Sequence, residues 1–145
     1  MGIAADIAMF KAKLDSAIDD TMQGPVLDGA KRAIWLSALA NVYAAYTPQF
    51  YSRRMSGGGI ASEDTKVADY GDKTLVIRDE TSWQQLYGGA VPGGKLIEAL
   101  VSGDARYHFQ NAGSRKFMED AEKDFAPEFE RLLASGLRAH GFVVH

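Results

Sequence analysis

The stretch "TKVADYGDKTLVIRDET", residues 65–81, decides the fold class, because it has the clearest strand pattern in a chain whose two ends have helical patterns. Residues 67–70 and 74–77 are two short runs suited to strands, and a Gly71-Asp72 turn between them predicts a β-hairpin. The segment "YHFQNAG", residues 107–113, is a candidate for one further strand. We therefore expect an antiparallel sheet set among helices.

Two helices are predicted before the hairpin. Apolar residues at positions 3, 7, 10, 14 and 18 recur at steps of three or four and indicate an amphipathic helix with a narrow apolar stripe. The segment "QGPVLDGA" is predicted to break the helix, with Gly24 at a C-cap and Pro25 in the first turn of the next helix. The second helix is apolar most of the way round and should end before Pro48, so we expect it to be central.

A third helix is predicted near the C-terminus. Ser114 can cap it, and Pro127 should either kink it or restart it. Gly141 followed by Phe142 is typical of a helix end with a hydrophobic contact. The expected fold is thus α+β, with two N-terminal helices, a small antiparallel sheet and a C-terminal helix. Residues 1–145 should form a single domain with a long flexible loop at about 47–64, which is rich in glycine and serine.

Composition excludes several classes of protein. The 145 residues contain 16 basic and 19 acidic side chains, a net charge of −3 that argues against binding nucleic acid or anionic membrane through bulk charge. The chain has no cysteine, which rules out disulfides, thiolate metal sites and a cysteine nucleophile. No signal-peptide core or membrane-length apolar run occurs, so we expect a soluble, intracellular protein without a membrane partner.

The glycine-rich stretch "GGAVPGGK", residues 88–95, matches the spacing of a phosphate-binding loop up to Lys95. Such a loop needs a buried strand before it and a Ser or Thr after the lysine, but Leu96 follows and Gln84 and Gln85 lie upstream. Pro92 also removes one of the backbone amides that would bind phosphate. We therefore interpret the stretch as a linker leading into a short helix at 95–102.

No other catalytic arrangement emerges. The histidines at 108, 140 and 145 have no nearby Ser or Asp at a nucleophile spacing, and His108 between two aromatic residues is more typical of a strand. The paired acids are typical of solvated surfaces, and Asp19-Asp20 lacks the glycine and alternating oxygens of a calcium loop. We expect no enzymatic activity, no cofactor and no metal.

The segment "FYSRRMSGGG", residues 50–59, allows two interpretations. Arg53 and Arg54 beside Tyr51 could bind phosphate while an aromatic ring stacks on a base, which would make the protein a small nucleic-acid-binding module. Alternatively, the basic loop meets acidic surfaces on a protein partner, and the net negative charge favours this second interpretation.

Two segments of the chain resemble a known family. They are "YAAYTPQFYSRRMSGGGI", residues 43–60, and "SRKFMEDAEKDFAPEFERLLASGLRAHGF", residues 114–142. They resemble the small neck or minor tail-component proteins of long-tailed double-stranded-DNA bacteriophages, the gene-product-ten-like family. The matching positions of the first segment are Tyr43, Tyr46, Pro48, Tyr51, Arg53, Arg54, Gly58, Gly59 and Ile60. The second matches at Arg115–Phe117, with Lys116 where proline is usual, and at Gly136–Gly141.

The resemblance implies a structural protein of the virion, made in the host cytoplasm and assembled into the ring-shaped neck that joins head to tail. Implied partners are further copies in a hexameric or dodecameric ring, neighbouring head-completion and tail proteins, and genomic DNA passing through the lumen. Ring contacts are head-to-tail, so one face must complement a different face of the next copy. The predicted assembly interface consists of Tyr51, Arg53, Arg54, Ile7, Phe10 and Leu14.

Overall fold

The computed structural model describes residues 2–43, 63–81, 83–85, 89–91 and 116–145. The helical elements are α1 (Ile3–Thr21), a π-helical turn (Met22–Val26), α2 (Leu27–Ala38), a second π-helical turn (Leu39–Tyr43), a 3₁₀ turn (Glu63–Thr65) and α3 (Phe117–Ala139). The strands are β1 (Lys66–Gly71), β2 (Thr74–Asp79), β3 (Trp83–Gln85) and β4 (Gly89–Val91). The predicted α+β class is confirmed.

The two predicted N-terminal helices are one long helix, so the break predicted at Gly24 and Pro25 is wrong. The backbone stays helical on both sides, with φ/ψ of −66°/−41° at Met22 and −59°/−47° at Leu27. The Leu27 amide reaches the Met22 carbonyl five residues back, which is the π-helical bond. Pro25, which has no amide hydrogen to donate, lies inside this wider turn, and the helix continues through it. The predicted end before Pro48 lies outside the described residues.

Helix α3 runs without interruption through Pro127, so the restart predicted there does not occur. Pro127 and Lys123, whose carbonyl loses a donor, are both exposed, and water can take the place of the missing amide. The first helical residue is Phe117, and Lys116 occupies the N-cap. The cap predicted at Ser114 lies outside the described residues.

The predicted C-terminal end of α3 is confirmed. Gly141 adopts a φ of 89°, in the left-handed region that favours glycine. Its amide donates to the Arg138 carbonyl at 2.9 Å, and the Phe142 amide donates to the Leu137 carbonyl at 3.0 Å. This pair of bonds is a Schellman motif, which turns the chain back so that Phe142 lies over the helix it has just left.

The long N-terminal helix and α3 pack antiparallel. Near one end the Ser37 hydroxyl donates to the Phe117 carbonyl at 2.6 Å. Further along, Thr21 packs so closely on Gly136 that a Cβ on the glycine would lie 2.2 Å from the threonine methyl carbon. The core of the described residues lies along this contact. Its buried apolar members are Ala17, Met22, Val26, Ile34, Ala38, Phe117 and Ala121.

The predicted hairpin forms, but its turn lies one residue later than expected. Gly71 still belongs to β1 and pairs with Thr74, which leaves Asp72 and Lys73 as a two-residue loop. Their φ angles of 48° and 59° are both positive, as a type I′ turn requires. This turn suits the right-handed twist of the strands, whereas a turn at Gly71-Asp72 would shift the pairing by two residues and place Lys66 opposite Ile77 instead of Asp79.

The tip of the hairpin is bound to α1 by polar contacts. The Tyr70 hydroxyl donates to Asp19 Oδ1 at 2.7 Å, and Lys73 Nζ donates to the same oxygen at 2.6 Å. Lys73 Nζ also reaches the Asp15 carbonyl at 3.3 Å. The hydrogen bonds that Lys73 and Tyr70 donate to Asp19 hold the pKa of Asp19 below its ordinary value. The bond between Lys73 and Asp19 also raises the pKa of Lys73. These contacts offset the energetic cost of the left-handed backbone conformation of Lys73.

The base of the hairpin contains a buried ion pair. Lys66 Nζ lies 2.9 Å from Asp79 Oδ2, and both side chains are almost fully buried. The other carboxylate oxygen accepts hydrogen bonds from the Thr81 amide at 2.9 Å and the Thr81 hydroxyl at 2.6 Å. The Lys66 ammonium also donates to the Thr65 hydroxyl at 2.8 Å. The start of β1 and the end of β2 are therefore joined by buried polar contacts.

A second antiparallel ribbon pairs β3 with β4, with Trp83 opposite Val91 and Gln85 opposite Gly89. The start of "GGAVPGGK" is thus a strand, and the prediction of a linker is wrong for Gly89–Val91. Antiparallel pairing with Gln84 and Gln85 of β3 stabilises this strand, which the glycine content of the stretch did not predict. Pro92 to Lys95, the short helix predicted at 95–102 and the strand predicted at 107–113 lie outside the described residues.

Candidate assembly interface

Three large apolar side chains at the start of α1 are exposed to solvent. Ile3 is 79% exposed, Ile7 62% and Phe10 58%. Their spacing of four and three residues places them on one face of the helix. The same face continues through Leu14 and Thr21, where it becomes half-buried and then buried. The exposed residues therefore extend a buried stripe beyond the region where it has a partner.

The lengths of the two helices explain why this stripe is uncovered. Thr21 meets Gly136, and α3 has only three residues left beyond that contact, about 5 Å of helix. The long helix has 18 residues between Ile3 and that contact, about 27 Å. Roughly 20 Å of α1 thus projects past the end of α3.

The turn after α3 brings Phe142 to the projecting part of α1. The Phe142 ring meets the Phe10 ring edge-on, with centroids 5.8 Å apart and planes at 75°. Val143 follows and is 81% exposed. Arg138 donates to the Val144 carbonyl at 3.0 Å, which helps to fix the direction of this tail. We call Ile3, Ile7, Phe10, Phe142 and Val143 the apolar end patch.

The apolar end patch is large enough to drive association. The exposed fractions of Ile3, Ile7, Phe10 and Val143 amount to nearly three complete side chains. At about 1.5–3 kcal/mol for each side chain, burying them would contribute about 4–8 kcal/mol. Exposed apolar clusters of this kind, in contrast to single exposed residues, mark interaction sites.

A groove lies elsewhere on the molecule, between the β-hairpin and the helix pair. Its volume is about 610 Å³, and apolar side chains from all three elements line it. These include Met22, Val26, Ile34, Leu75, Met118 and Phe125. Glu119 and Glu122 lie along its α3 side, and Lys73 lies on the hairpin side. We call this feature the hairpin groove.

The described residues contain no group of three or more His, Cys, Asp or Glu side chains placed to hold a metal ion. Within the same ranges, no helix is both long enough and apolar enough to cross a membrane.

Comparison with known proteins places the chain in a family. The sequence model of the YomN family matches residues 6–139, nearly the whole chain. The chain belongs to the YomN family. The family bears the name of a phage-derived gene, and this YomN chain is accordingly a phage-associated protein. Searches of curated proteins and of solved structures gave no match.

The six residues predicted to form the assembly interface divide into two groups. In the YomN chain, Ile7 and Phe10 lie in the apolar end patch, and Leu14 lies half-buried at its inner margin. Tyr51, Arg53 and Arg54 lie outside the described residues.

Sequence reasoning missed Phe142 and Val143 as members of the patch. The Gly141-Phe142 signal for a helix end was present, but the residue that Phe142 would contact depends on how α3 packs against α1, which periodicity alone does not reveal.

Proposed function

We propose that this YomN-family chain is a non-enzymatic structural protein of a phage, a subunit of the ring-shaped neck that joins head to tail, in head–tail joining or tail completion. The observation that carries the proposal is the apolar end patch, an exposed surface built on a projecting helix end. The phage association of the family supports it, and so does the resemblance of the two sequence segments to neck and tail-component proteins.

An uncovered apolar surface is what a ring subunit needs. Each subunit of a ring uses a head-to-tail contact, in which one surface meets a different surface of the next copy. Burying the patch contributes about 4–8 kcal/mol, whereas the lost translational and rotational freedom of association costs about 4–15 kcal/mol. Additional polar contacts must therefore complete the interface. We propose a hexamer or dodecamer, flanked in the virion by head-completion and tail proteins, with genomic DNA passing through its lumen.

The basic segment is proposed to supply some of those additional contacts. Arg53 and Arg54 would bind acidic side chains of an adjacent subunit, and guanidinium groups suit this role because they pair with carboxylates at two points. Replacing both arginines with alanine should leave a folded subunit that does not assemble. Normal assembly of that variant would exclude the role.

The proposal is tested in the phage that carries this gene. The Ile7→Asp/Phe10→Asp variant places two charges in the patch, and both positions are exposed, so the chain should still fold. We expect DNA-filled heads and separate tails in the lysate, seen by electron microscopy, and no infectious particles. Ser16→Asp is the matched control, because Ser16 is exposed on another face of α1. Infectious particles at the normal titre from the double variant would refute the proposal.

The alternative function, a small nucleic-acid-binding module using residues 50–55, stays a prediction from the sequence. It differs from the neck proposal in a simple assay. A module of this kind should shift DNA in a gel, with an affinity that falls steeply as salt rises, because phosphate contacts release counterions. A neck subunit should show little affinity for free DNA.

A further inference from the structure

We infer that the apolar end patch of one copy binds in the hairpin groove of a second copy, so that successive copies join head to tail. The inference rests on the proposed function for its biological setting, but the contact itself is a property of the purified chain. Both surfaces of the interface are thereby identified, whereas the sequence predicted the apolar stripe of α1 but not the hairpin groove.

The two surfaces match in chemistry and in size. The patch presents Ile3, Ile7 and Phe10 as a ridge along one helix face. The groove offers apolar walls formed by Leu75 of the hairpin and Phe125 of α3. Its volume of about 610 Å³ lies within the range of about 300–1,000 Å³ that encloses small ligands, which leaves room for a few side chains of a docked helix.

Charged side chains beside the two surfaces can be paired as opposites in one orientation. On α1, Lys11 and Asp6 lie on opposite flanks of the apolar stripe and are exposed, and no ion pair to Lys11 occurs among the residues that the structure describes. Glu119 and Glu122 lie on the α3 side of the groove and are exposed, and Lys73 lies on the hairpin side. Docking that brings Lys11 toward the two carboxylates places Asp6 on the side of Lys73, which favours this direction of docking.

The geometry excludes the same contact within one chain. Ile7 lies on the projecting end of α1, whereas Met118 lies at the far end of the antiparallel pair, where Phe117 meets Ser37. The 30 helical residues from Ile7 to Ser37 correspond to about 45 Å. The groove that receives the patch must therefore belong to another copy.

A contact between two patches would leave the hairpin groove unused. Around a two-fold axis the patch of one copy meets the patch of the other, so Glu119 and Glu122 take no part in the interface. A head-to-tail contact uses both surfaces, and its repetition closes a ring when the rotation between copies allows it.

The cysteine-free sequence makes a disulfide test possible. Ile7→Cys and Met118→Cys are made as separate full-length variants, mixed and oxidised, and the products are separated on a non-reducing gel. We expect a cross-linked dimer from the mixture and at least tenfold less from either variant alone. Ser16→Cys replaces Ile7→Cys as the control, because it is an exposed position on another face of the same helix. Thermal melting of each variant confirms that it is folded.

Light scattering on the wild-type chain separates the possible failures. Multimers that give no Ile7–Met118 cross-link would overturn this interface but leave a ring subunit possible. Strong cross-linking of Ile7→Cys to itself would replace the head-to-tail contact with a two-fold one. A chain that is monomeric at the highest accessible concentration and gives no mixed cross-link would overturn the inference, whereas the neck proposal would still be judged by the phage lysate.

Discussion

Replacing Gly136 with alanine tests the closest contact between the two long helices. A Cβ at this position would lie 2.2 Å from Thr21 Cγ2, 2.3 Å from Oγ1 and 2.8 Å from Cβ. Rotating the Thr21 side chain cannot relieve the clash with its Cβ, so the helix backbones must separate, by about 1 Å to reach ordinary contact. Overpacking of this kind costs about 1–3 kcal/mol, and the clash with Thr21 Cβ, which no rotamer change can move, places it near the upper end.

The helix propensity of alanine offsets about 1 kcal/mol of that cost. The net loss in the free energy of unfolding should be about 2 kcal/mol, which lowers Tm by about 4–8 °C for a chain of this size. Thermal melting followed by circular dichroism measures it. Thr21→Ala in the same chain removes the two nearest atoms and should restore at least half of the loss, a coupling that a double-mutant cycle detects.

Gly29→Ala is the matched control, because Gly29 faces α3 from within the long N-terminal helix, just as Gly136 of α3 faces that helix. Its nearest neighbours are Leu132 Cδ1 at 2.7 Å and the Phe125 ring at 3.0 Å, and these side-chain ends can move. We expect a change within about 0.5 kcal/mol, since helix propensity balances a small rearrangement. If Gly136→Ala melts at or above the wild-type temperature, Thr21 of α1 and Gly136 of α3 are not in close contact.

Three further predictions concern the hairpin and the proposed interface. Asp79→Asn should lower the free energy of unfolding by about 3–5 kcal/mol in urea denaturation, because it removes the carboxylate charge beside the buried Lys66 ammonium; a loss below 1 kcal/mol would contradict a buried pair. Docking of the hairpin tip, monitored by hydrogen exchange of β1 and β2, should be intact above pH 3.8 and be lost as the pH falls through the lowered pKa of Asp19, and Asp19→Asn should abolish that transition. Lys11→Glu and Glu122→Lys should each weaken self-association up to about fivefold, and a mixture of the two variants should recover it; equal weakening in the mixture would argue against their proximity.

Much of the fold could be predicted because local patterns determine it. Two short strand-like runs at 67–70 and 74–77 with a turn between them predicted the hairpin, and Gly141 predicted the end of α3 by its need for a positive φ. The turn was misplaced by one residue because glycine is the usual left-handed residue. Here Lys73 adopts that conformation instead, held by Asp19, and no local signal predicts a contact between residues so distant in sequence.

Proline and glycine misled the prediction of the helices for a similar reason. Gly24-Pro25 is a reliable signal for a helix break in an isolated segment. Packing of the buried Met22 and Val26 on either side favours a continuous helix, and the π-helical turn makes continuity possible. The sequence shows which residues are apolar, but only the tertiary structure shows which helix or strand each of them packs against.

Only part of the candidate assembly interface could be predicted from the sequence. The stripe containing Ile7 and Phe10 was recognised from its period, and the possibility that it packs on a neighbouring subunit was part of the prediction. That α3 stops short and leaves the stripe uncovered follows from the register of two antiparallel helices, which is set by the Thr21–Gly136 contact. The hairpin groove, likewise, is formed by three elements distant in sequence and has no sequence signature.

A cryo-electron microscopy reconstruction of the neck of the mature phage is the decisive experiment on the neck proposal. We expect a ring between head and tail whose subunits fit the antiparallel pair of the long helix and α3, with the end of α1 near Phe10 entering the hairpin groove of the next copy. A well-resolved neck into which this chain does not fit, or its presence only elsewhere in the particle, would exclude a role in the neck.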